Sequence, residues 1–202
     1  MEFFDLSMEI DDLTPVYPGD PKQEIKQQAT IAKEGWNEKR LTFNSHFSTH
    51  IDVPIHLVEN GKNLDDFPVG FFSGTAIVID AFAQQPIKPD LSSVRAGDIV
   101  FFYTGHTDKY HSPAFFENNP VISKETAEEL VRKKAKIVGL DSYTPDNEPF
   151  EIHKILLKEN ILIVENLVNL KALVGKRFEC IILPLKIKDA DGAPCRVVAK
   201  LD

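Results

Sequence analysis

The feature of this 202-residue chain that most restricts its fold is an alternation of helix and strand patterns across residues 123–165. Ser123 is a suitable N-cap, and apolar residues follow it at helical spacing: Ala127, Leu130, Val131 and Ala135. A second helix is predicted over residues 148–158, with Ile152, Ile155 and Leu156 facing inward. The short apolar runs at 137–141 and 161–165 are predicted to be buried strands.

Segments outside this region have the patterns of strands. Strands are predicted over residues 23–30, 39–44, 74–80 and 99–104, each bounded by turn-forming residues. Helix–strand alternation beside strand-rich segments at both ends favours a mixed α/β domain. The chain has the length of one domain and no internal repeat or low-complexity linker, so we predict a single domain over residues 1–202.

Composition excludes several classes of function. The net charge of −8 argues against nucleic acid as a partner, because phosphate contacts need clustered Lys and Arg. No apolar run reaches the roughly 18 residues of a membrane span, and the N-terminus MEFFDLSMEIDD is acidic rather than signal-like. The two cysteines, Cys180 and Cys195, suit a reducing compartment and are interpreted as small hydrophobic residues that do not face each other. We therefore expect a cytoplasmic protein.

The stretch HFSTHIDVPIH, residues 46–56, holds three of the six histidines at alternating positions. A fully extended strand would separate His46 from His50 by about 13 Å, too far for one ion held at about 2.0–2.2 Å by each ligand. The chain must therefore turn near Ser48, and a single helical turn would bring the two imidazoles together. Asp52 and His56 would follow on an extended segment that Pro54 keeps out of a helix.

Imidazole and carboxylate groups are the usual ligands of zinc and similar divalent ions. The HxxxHxD pattern supplies three of them within seven residues, so it predicts a metal site. The alternative is a half-buried strand whose polar face is hydrated. His153 on the second predicted helix and Glu165 at the end of the strand ILIVE are further candidates for metal ligands. Glu165 ends a buried apolar run, and burial of an unpaired carboxylate has a high cost in free energy. The alternatives are that His153 is an ordinary residue on the helix surface and that Glu165 emerges into solvent where its strand ends.

The chain resembles the family of cyclases and metal-dependent hydrolases that includes bacterial kynurenine formamidase and isatin hydrolase. The family motif HxGTHxDxPxH is matched at His46, Thr49, His50, Asp52, Pro54 and His56, with Ser48 in place of glycine. The resemblance extends to YPGD at 17–20, GLDS at 139–142, the region from His153 to Leu167, LPL at 183–185 and DGAPCRVVA at 191–199.

This resemblance implies a swivelling β/β/α domain that forms homodimers or higher oligomers. It also implies that His46, His50 and Asp52 hold one divalent ion, that His153 holds a second, and that Asp52 and Glu165 bridge them. His56 would be the acid/base residue. Zinc suits these ligands best, and bridging carboxylates would also suit manganese.

The expected function is hydrolysis of a C–N bond in a small amide, either an aryl formamide such as N-formylkynurenine or a cyclic amide. Tyr17 occupies the place of a substrate-contacting tryptophan in kynurenine formamidases, so a different pocket is expected. The alternatives are a lactonase or cyclase acting on an ester or polyketide-like substrate, and a non-catalytic metal or small-molecule binding protein.

Some residues receive weaker expectations. His106 and His111 fall in a loop that could border the pocket, but the expectation is that they are exposed loop residues. Trp36 could either cap the pocket or seal a loop. The pairs Phe71-Phe72 and Phe115-Phe116 are expected in the core or in an interface rather than against substrate.

Overall fold

The computed structural model describes residues 1–201 and is built around one large mixed sheet. Its strands are β1 (Glu2–Asp5), β4 (His50–Asp52), β5 (Ser73–Asp80), β6 (Ile99–Tyr103), β7 (Ile137–Leu140), β8 (Leu162–Glu165), β9 (Arg177–Pro184) and β10 (Gly192–Leu201). A separate hairpin contains β2 (Glu24–Ala29) and β3 (Glu38–Thr42). The α-helices are α1 (Ile31–Glu34), α2 (Lys124–Arg132) and α3 (Glu151–Lys158).

Seven strands close into a barrel. The sheet order is β1-β10-β4-β8-β7-β6-β5-β9, and β9 also pairs with β10, so the ring from β10 to β9 has no free edge and β1 adds to β10. Strands β5, β6, β7 and β8 run parallel to one another, whereas β4, β9 and β10 pair antiparallel with each of their neighbours. The predicted mixed α/β fold is confirmed.

The parallel strands bury both faces. In β5 and β6, Val78 and Phe101 belong to the cluster that fills the barrel, whereas Ile77 and Phe102 belong to the cluster beneath α2 and α3. Successive side chains of a strand point to opposite faces. Both faces of these strands are covered, which explains why their sequences are almost continuously apolar.

The element boundaries follow the sequence closely, and the differences have local causes. The Ser123 hydroxyl accepts a hydrogen bond from the Thr126 amide at 3.1 Å and caps α2, as predicted. Helix α3 starts three residues later than predicted. Glu148 precedes Pro149, which disfavours a helical conformation at Glu148, and Phe150 has a left-handed backbone with φ of 59°.

The two cysteines lie in the antiparallel hairpin of β9 and β10, and they do not face each other, as predicted. Cys180 pairs with Ala199 and Cys195 pairs with Pro184. Both are free, and burial raises the pKa of the Cys180 thiol to about 12. Within residues 1–201, no helix has the length and apolar character that crossing a membrane requires.

Gly139 on β7 tests the packing inside the barrel. A Cβ atom there would lie 2.7 Å from Cδ1 of Phe101 and 2.9 Å from Cδ1 of Leu167, and both side chains are fully buried. We expect Gly139→Ala to lower the free energy of unfolding by about 1–3 kcal/mol, as overpacking does, measured by urea titration. Gly70→Ala is the control, because no atom lies within 4 Å of its added Cβ. Equal stability of the two variants would contradict tight packing at Gly139.

Candidate metal centre

The pairing of β4 with β8 brings together two segments that lie far apart in sequence. His50 on β4 is directly opposite Glu165 on β8 in the antiparallel ladder, and Asp52 follows His50 on the same strand. Helix α3 supplies His153 to the same place, with its Nε2 3.3 Å from Oε1 of Glu165. These four side chains are buried at the floor of a cavity of about 460 Å³.

The chain reverses at Ser48, as predicted, but by a different geometry. Ser48 has a left-handed backbone with φ of 56°, and strand β4 starts two residues later. The predicted helical turn is therefore wrong. A single left-handed residue is sufficient, because it bends the chain enough for His46 Nδ1 and His50 Nε2 to approach Oδ1 of Asp52 at 2.7 and 3.2 Å.

His56 also lies on a different element from the one predicted. It ends a short 3-10 helix, Pro54–His56, rather than an extended segment. Pro54 occupies the first helical position, where a missing amide proton leaves no hydrogen bond unmade and the fixed φ suits the turn. This turn sets the His56 ring 4.0 Å from the ring of His46 at the cavity wall.

Three groups of three side chains in the described chain have the spacing of metal ligands, and the two more buried groups share Asp52. One group contains His46, His50 and Asp52, and the other contains Asp52, His153 and Glu165. Ligand atoms about 2.0–2.2 Å from one tetrahedral ion lie about 3.5 Å from each other. The measured contacts of 2.7 to 3.6 Å among these atoms bracket that value. The residues present therefore fit a pair of divalent ions.

The electrostatics of the cluster also favour a cation. Burial by itself would lower the pKa of His46, but the charge of Asp52 and hydrogen bonds to Asp191 and Asp52 raise it to about 9. Neighbouring carboxylates likewise raise the pKa values of His50 and His153 well above the ordinary value, against the effect of burial. The carboxylates thus stabilise positive charge at this place, and a divalent metal ion would supply it.

Hydrogen bonds on the far side of the imidazoles aim their ring nitrogens into the cluster. His50 Nδ1 donates to the Ser48 carbonyl at 2.9 Å, which leaves Nε2 facing the carboxylates. His153 Nδ1 lies 2.5 Å from Oδ1 of Asp146, and His46 Nε2 lies 3.0 Å from Oδ2 of Asp191. Such partners fix the tautomer of a metal-binding imidazole.

Asp146 and Asp191 were not predicted to have a role in the site. Asp146 lies in the loop before α3, where it also accepts hydrogen bonds from the amides of Ile152 and His153. Asp191 lies in the turn between β9 and β10, 145 residues from His46. No periodicity or motif in the sequence indicates that either aspartate binds an imidazole. For Asp146 there is one weak indication, which is its place shortly before a helix that contains a candidate histidine.

His56 lies beside the two three-residue groups that share Asp52, but it belongs to neither of them. Its Nδ1 is 3.7 Å from Oδ2 of Asp191, which together with His46 forms a third, more exposed cluster. Burial lowers the pKa of His56. Its imidazole is therefore neutral near pH 7 and has a lone pair available to accept a proton.

Tyr17 reaches the cavity as part of an aromatic wall. Its ring centroid lies 6.5 Å from that of Phe116 and 6.0 Å from that of Tyr143, and all three side chains line the cavity. The pair Phe115-Phe116 was expected in the core or in an interface. Phe115 is buried as expected, but both residues also line the cavity. They end a short 3-10 turn, Pro113–Phe116.

The remaining candidates do not line this cavity in the described chain. Trp36 is 58% exposed near the start of β3, and His111 is exposed. His106 was expected to be exposed, yet it is buried with its Nε2 2.6 Å from the Phe115 carbonyl. Phe72 is buried and Phe71 packs against the barrel core, as expected.

Comparison with known families agrees with this geometry. The sequence model of the family described as "Putative cyclase" matches residues 4–147, which include the motif from His46 to His56. The chain belongs to this cyclase family.

Two relatives in the cyclase family cover almost the whole chain. A kynurenine formamidase of Bacillus cereus is 30% identical over 204 residues, which cover 98% of this chain and 97% of that protein. An uncharacterized protein of Methanocaldococcus jannaschii is 37% identical over 202 residues, covering 96% of this chain and 100% of that protein.

Solved structures share the fold. A potential metal-dependent hydrolase with cyclase activity superimposes with a TM-score of 0.83 at 27% identity, covering 98% of this chain and 96% of the other. An isatin hydrolase bound to the product analogue thioisatinate has a TM-score of 0.88 at 24% identity, covering 98% and 91% of the two chains. The resemblance found in the sequence is confirmed, and the relatives that have an assigned activity are hydrolases.

Asp146→Asn tests the orientation of His153. In the variant, the carboxamide oxygen would still accept hydrogen bonds from the backbone amides of Ile152 and His153 at the start of α3. The carboxamide NH₂ group would then face Nδ1 of His153, so the imidazole proton would move to Nε2. We expect about 10–100-fold weaker affinity for the ion near His153, measured by metal titration. Asp90→Asn is the control, because Asp90 is exposed and does not line the cavity. Unchanged metal affinity would contradict the role of Asp146.

Proposed function

We propose that this protein is a metal-dependent hydrolase that cleaves a C–N bond in a small amide. The observation that supports this most strongly is the pair of three-ligand groups sharing Asp52, with the neutral imidazole of His56 beside them. We assign His46, His50, Asp52, His153 and Glu165 as metal ligands. Asp52 and Glu165 would bridge the two ions.

A divalent ion bound there would lower the pKa of water towards neutrality and polarise a carbonyl group. The protein's own contribution begins with His56, which accepts a proton from water as it attacks the amide carbon. His56 then returns that proton to the departing nitrogen, so an amide and water become a carboxylic acid and an amine. This cycle needs an imidazole that is neutral at the start, in accord with the lowered pKa of His56.

The cavity favours a small aromatic substrate. Its volume of about 460 Å³ is in the range of small-molecule sites, about 300–1,000 Å³. Tyr17, Phe116 and Tyr143 offer ring faces and edges on one side, where an aromatic substrate would stack. We therefore propose Tyr17 as a substrate-binding residue. An aryl formamide such as N-formylkynurenine, or a lactam-like ring, satisfies these requirements.

A lactonase or cyclase acting on an ester or polyketide-like chain is the second candidate, because the same water and the same acid/base residue would serve an ester. Comparison of rates on matched esters and amides separates the two. A non-catalytic binding protein is a third candidate. The presence of His56 argues against a non-catalytic binding protein, because metal binding needs the ligands but no proton acceptor beside them.

The cofactor, compartment and assembly complete the proposal. Zinc is the first choice for imidazole and carboxylate ligands, and manganese is the second because Asp52 and Glu165 would supply oxygen ligands. We also propose a cytoplasmic enzyme with a small-molecule substrate and no nucleic-acid or membrane partner. Its assembly would be a homodimer or a higher homo-oligomer.

The first experiment measures N-formylkynurenine hydrolysis by zinc- and manganese-loaded protein. We expect turnover in the wild type and about 10²–10⁴-fold lower kcat in His56→Ala, the range of general acid–base catalysis. His111→Ala is the matched control, because His111 is exposed and does not line the cavity. Full activity of His56→Ala would refute its role. Absence of wild-type turnover on formamides, lactams and anilides would refute the proposed amide hydrolysis.

Metal content tests the ligand assignment separately from activity. We expect His50→Ala to lose bound metal, because its Nε2 faces both Asp52 and Glu165 at 3.2 and 3.4 Å. His56→Ala should keep the wild-type metal content. Elemental analysis of the dialysed proteins provides the measurement, and wild-type metal content in His50→Ala would contradict its assignment.

A further inference from the structure

A long loop between β6 and α2 contributes to the aromatic wall of the cavity. Strand β6 ends at Tyr103 and α2 begins at Lys124, so residues 104–123 connect them. Loops longer than about 12–15 residues without a strand or an α-helix are uncommon in compact domains, and they are usually functional. This loop brings Phe115 and Phe116 to the cavity, at positions that neither the sheet nor the helix fixes directly. Other contacts must therefore hold that part of the loop.

His106 holds the loop at Phe115. It is 3% exposed, and its Nε2 donates a hydrogen bond to the Phe115 carbonyl at 2.6 Å. Burial lowers the pKa of His106, so the imidazole is neutral near pH 7. Its single ring proton lies on Nε2, because a carbonyl oxygen can only accept. The ring also lies against the ring of Phe115, with the centroids 5.3 Å apart. One side chain thus contacts both the backbone and the ring of Phe115.

His106 is itself held at the ends of two barrel strands. Thr104 directly follows β6, and Asp141 directly follows β7. The buried Asp141 carboxylate accepts hydrogen bonds from the amide and the hydroxyl of Thr104 at 2.8 and 2.6 Å, and from the Gly105 amide at 2.8 Å. The Thr104 hydroxyl in turn accepts from the His106 amide at 3.2 Å. These bonds satisfy the buried carboxylate and give His106 a defined place on the barrel.

Tyr143 makes a second contact with the same part of the loop. Its hydroxyl lies 3.2 Å from the Phe116 carbonyl, and its ring centroid is 5.0 Å from that of Phe116. Tyr143 lines the cavity, whereas His106 is not among the lining residues of the described chain. His106 can therefore affect a ligand only through the residues that it holds.

We propose that His106 is a positioning residue for the aromatic part of the substrate. This inference rests on the proposed function, in which an aryl group binds against the aromatic wall. The hydrogen bond from His106 holds Phe115, and through the next peptide Phe116, at the cavity. Contacts between rings have preferred distances and angles. A loosened loop would therefore weaken binding of an aryl group and leave the metal ligands in place, so His106 sets the preference for aromatic over aliphatic ligands.

The test uses benzohydroxamate and acetohydroxamate, which share a metal-chelating group and differ in the aryl group. Calorimetric titration of the metal-loaded protein measures the affinity for each. We expect His106→Leu to bind benzohydroxamate about 3–10-fold more weakly than the wild type, the range of a lost ring contact. Its affinity for acetohydroxamate should equal that of the wild type.

Two further variants serve as controls. His106→Gln should keep most of the affinity for benzohydroxamate, because the glutamine amide nitrogen is as many bonds from Cα as Nε2 of histidine and can donate to the same carbonyl. His111→Leu makes the leucine change at an exposed histidine of the same loop, so both affinities should equal those of the wild type.

Two results would overturn the proposal. Wild-type affinity of His106→Leu for benzohydroxamate would mean that the hydrogen bond positions no binding surface. Equal losses of affinity for both hydroxamates would mean that His106 only stabilises the fold. The titration does not require turnover, so it separates this inference from the proposed function. A wild type that hydrolyses no amide, with a selective loss in His106→Leu, would refute amide hydrolysis and support the role of His106. Where formanilide is hydrolysed, His106→Leu should raise its KM by the same factor and leave kcat unchanged.

Discussion

The site depends on the antiparallel pairing of β4 with β8. Only three residues of β4 take part, yet their register sets His50 opposite Glu165 and Asp52 opposite Ile163. A shift of one residue would turn every β4 side chain to the opposite face of the sheet, because side chains alternate along a strand. His50 and Asp52 would then point away from Glu165, and no group of three ligands would form across the two strands.

Closure of the barrel protects this register. Strand β4 is held on its other side by β10, where Ala193 is opposite Ile51, so it has a hydrogen-bonded neighbour along both edges. Ile51 is fully buried in the barrel cluster between the two polar positions of the strand. One apolar side chain inside the barrel thus fixes which face carries His50 and Asp52. The alternation of side chains along β4 therefore determines both the packing of the barrel core and the placement of the candidate ligands.

Local features of the fold were predictable from the sequence, and long-range ones were not. Ser123 and the apolar spacing after it predicted α2, and the histidine-rich motif predicted a turn at Ser48 and a cluster at Asp52. The pairings of β5 with β9 and of β4 with β10 and β8 join strands that lie far apart in the sequence, and nothing in the sequences of these strands specifies which partner each one takes. The places of His153 and Glu165 beside that cluster came only from the family resemblance, because spacing along a chain does not report distance across a sheet.

The candidate metal ligands and the aromatic wall of the cavity lie on different parts of the fold. His50, Asp52 and Glu165 lie on strands of the closed barrel, and their buried side chains have little room to move. Tyr17 and Phe116 lie in loop segments at the opening of the cavity, and loops tolerate change more readily than the strands that they connect. Under the proposed function, substitution at the aromatic wall therefore changes substrate preference without disturbing the geometry of the proposed ligands.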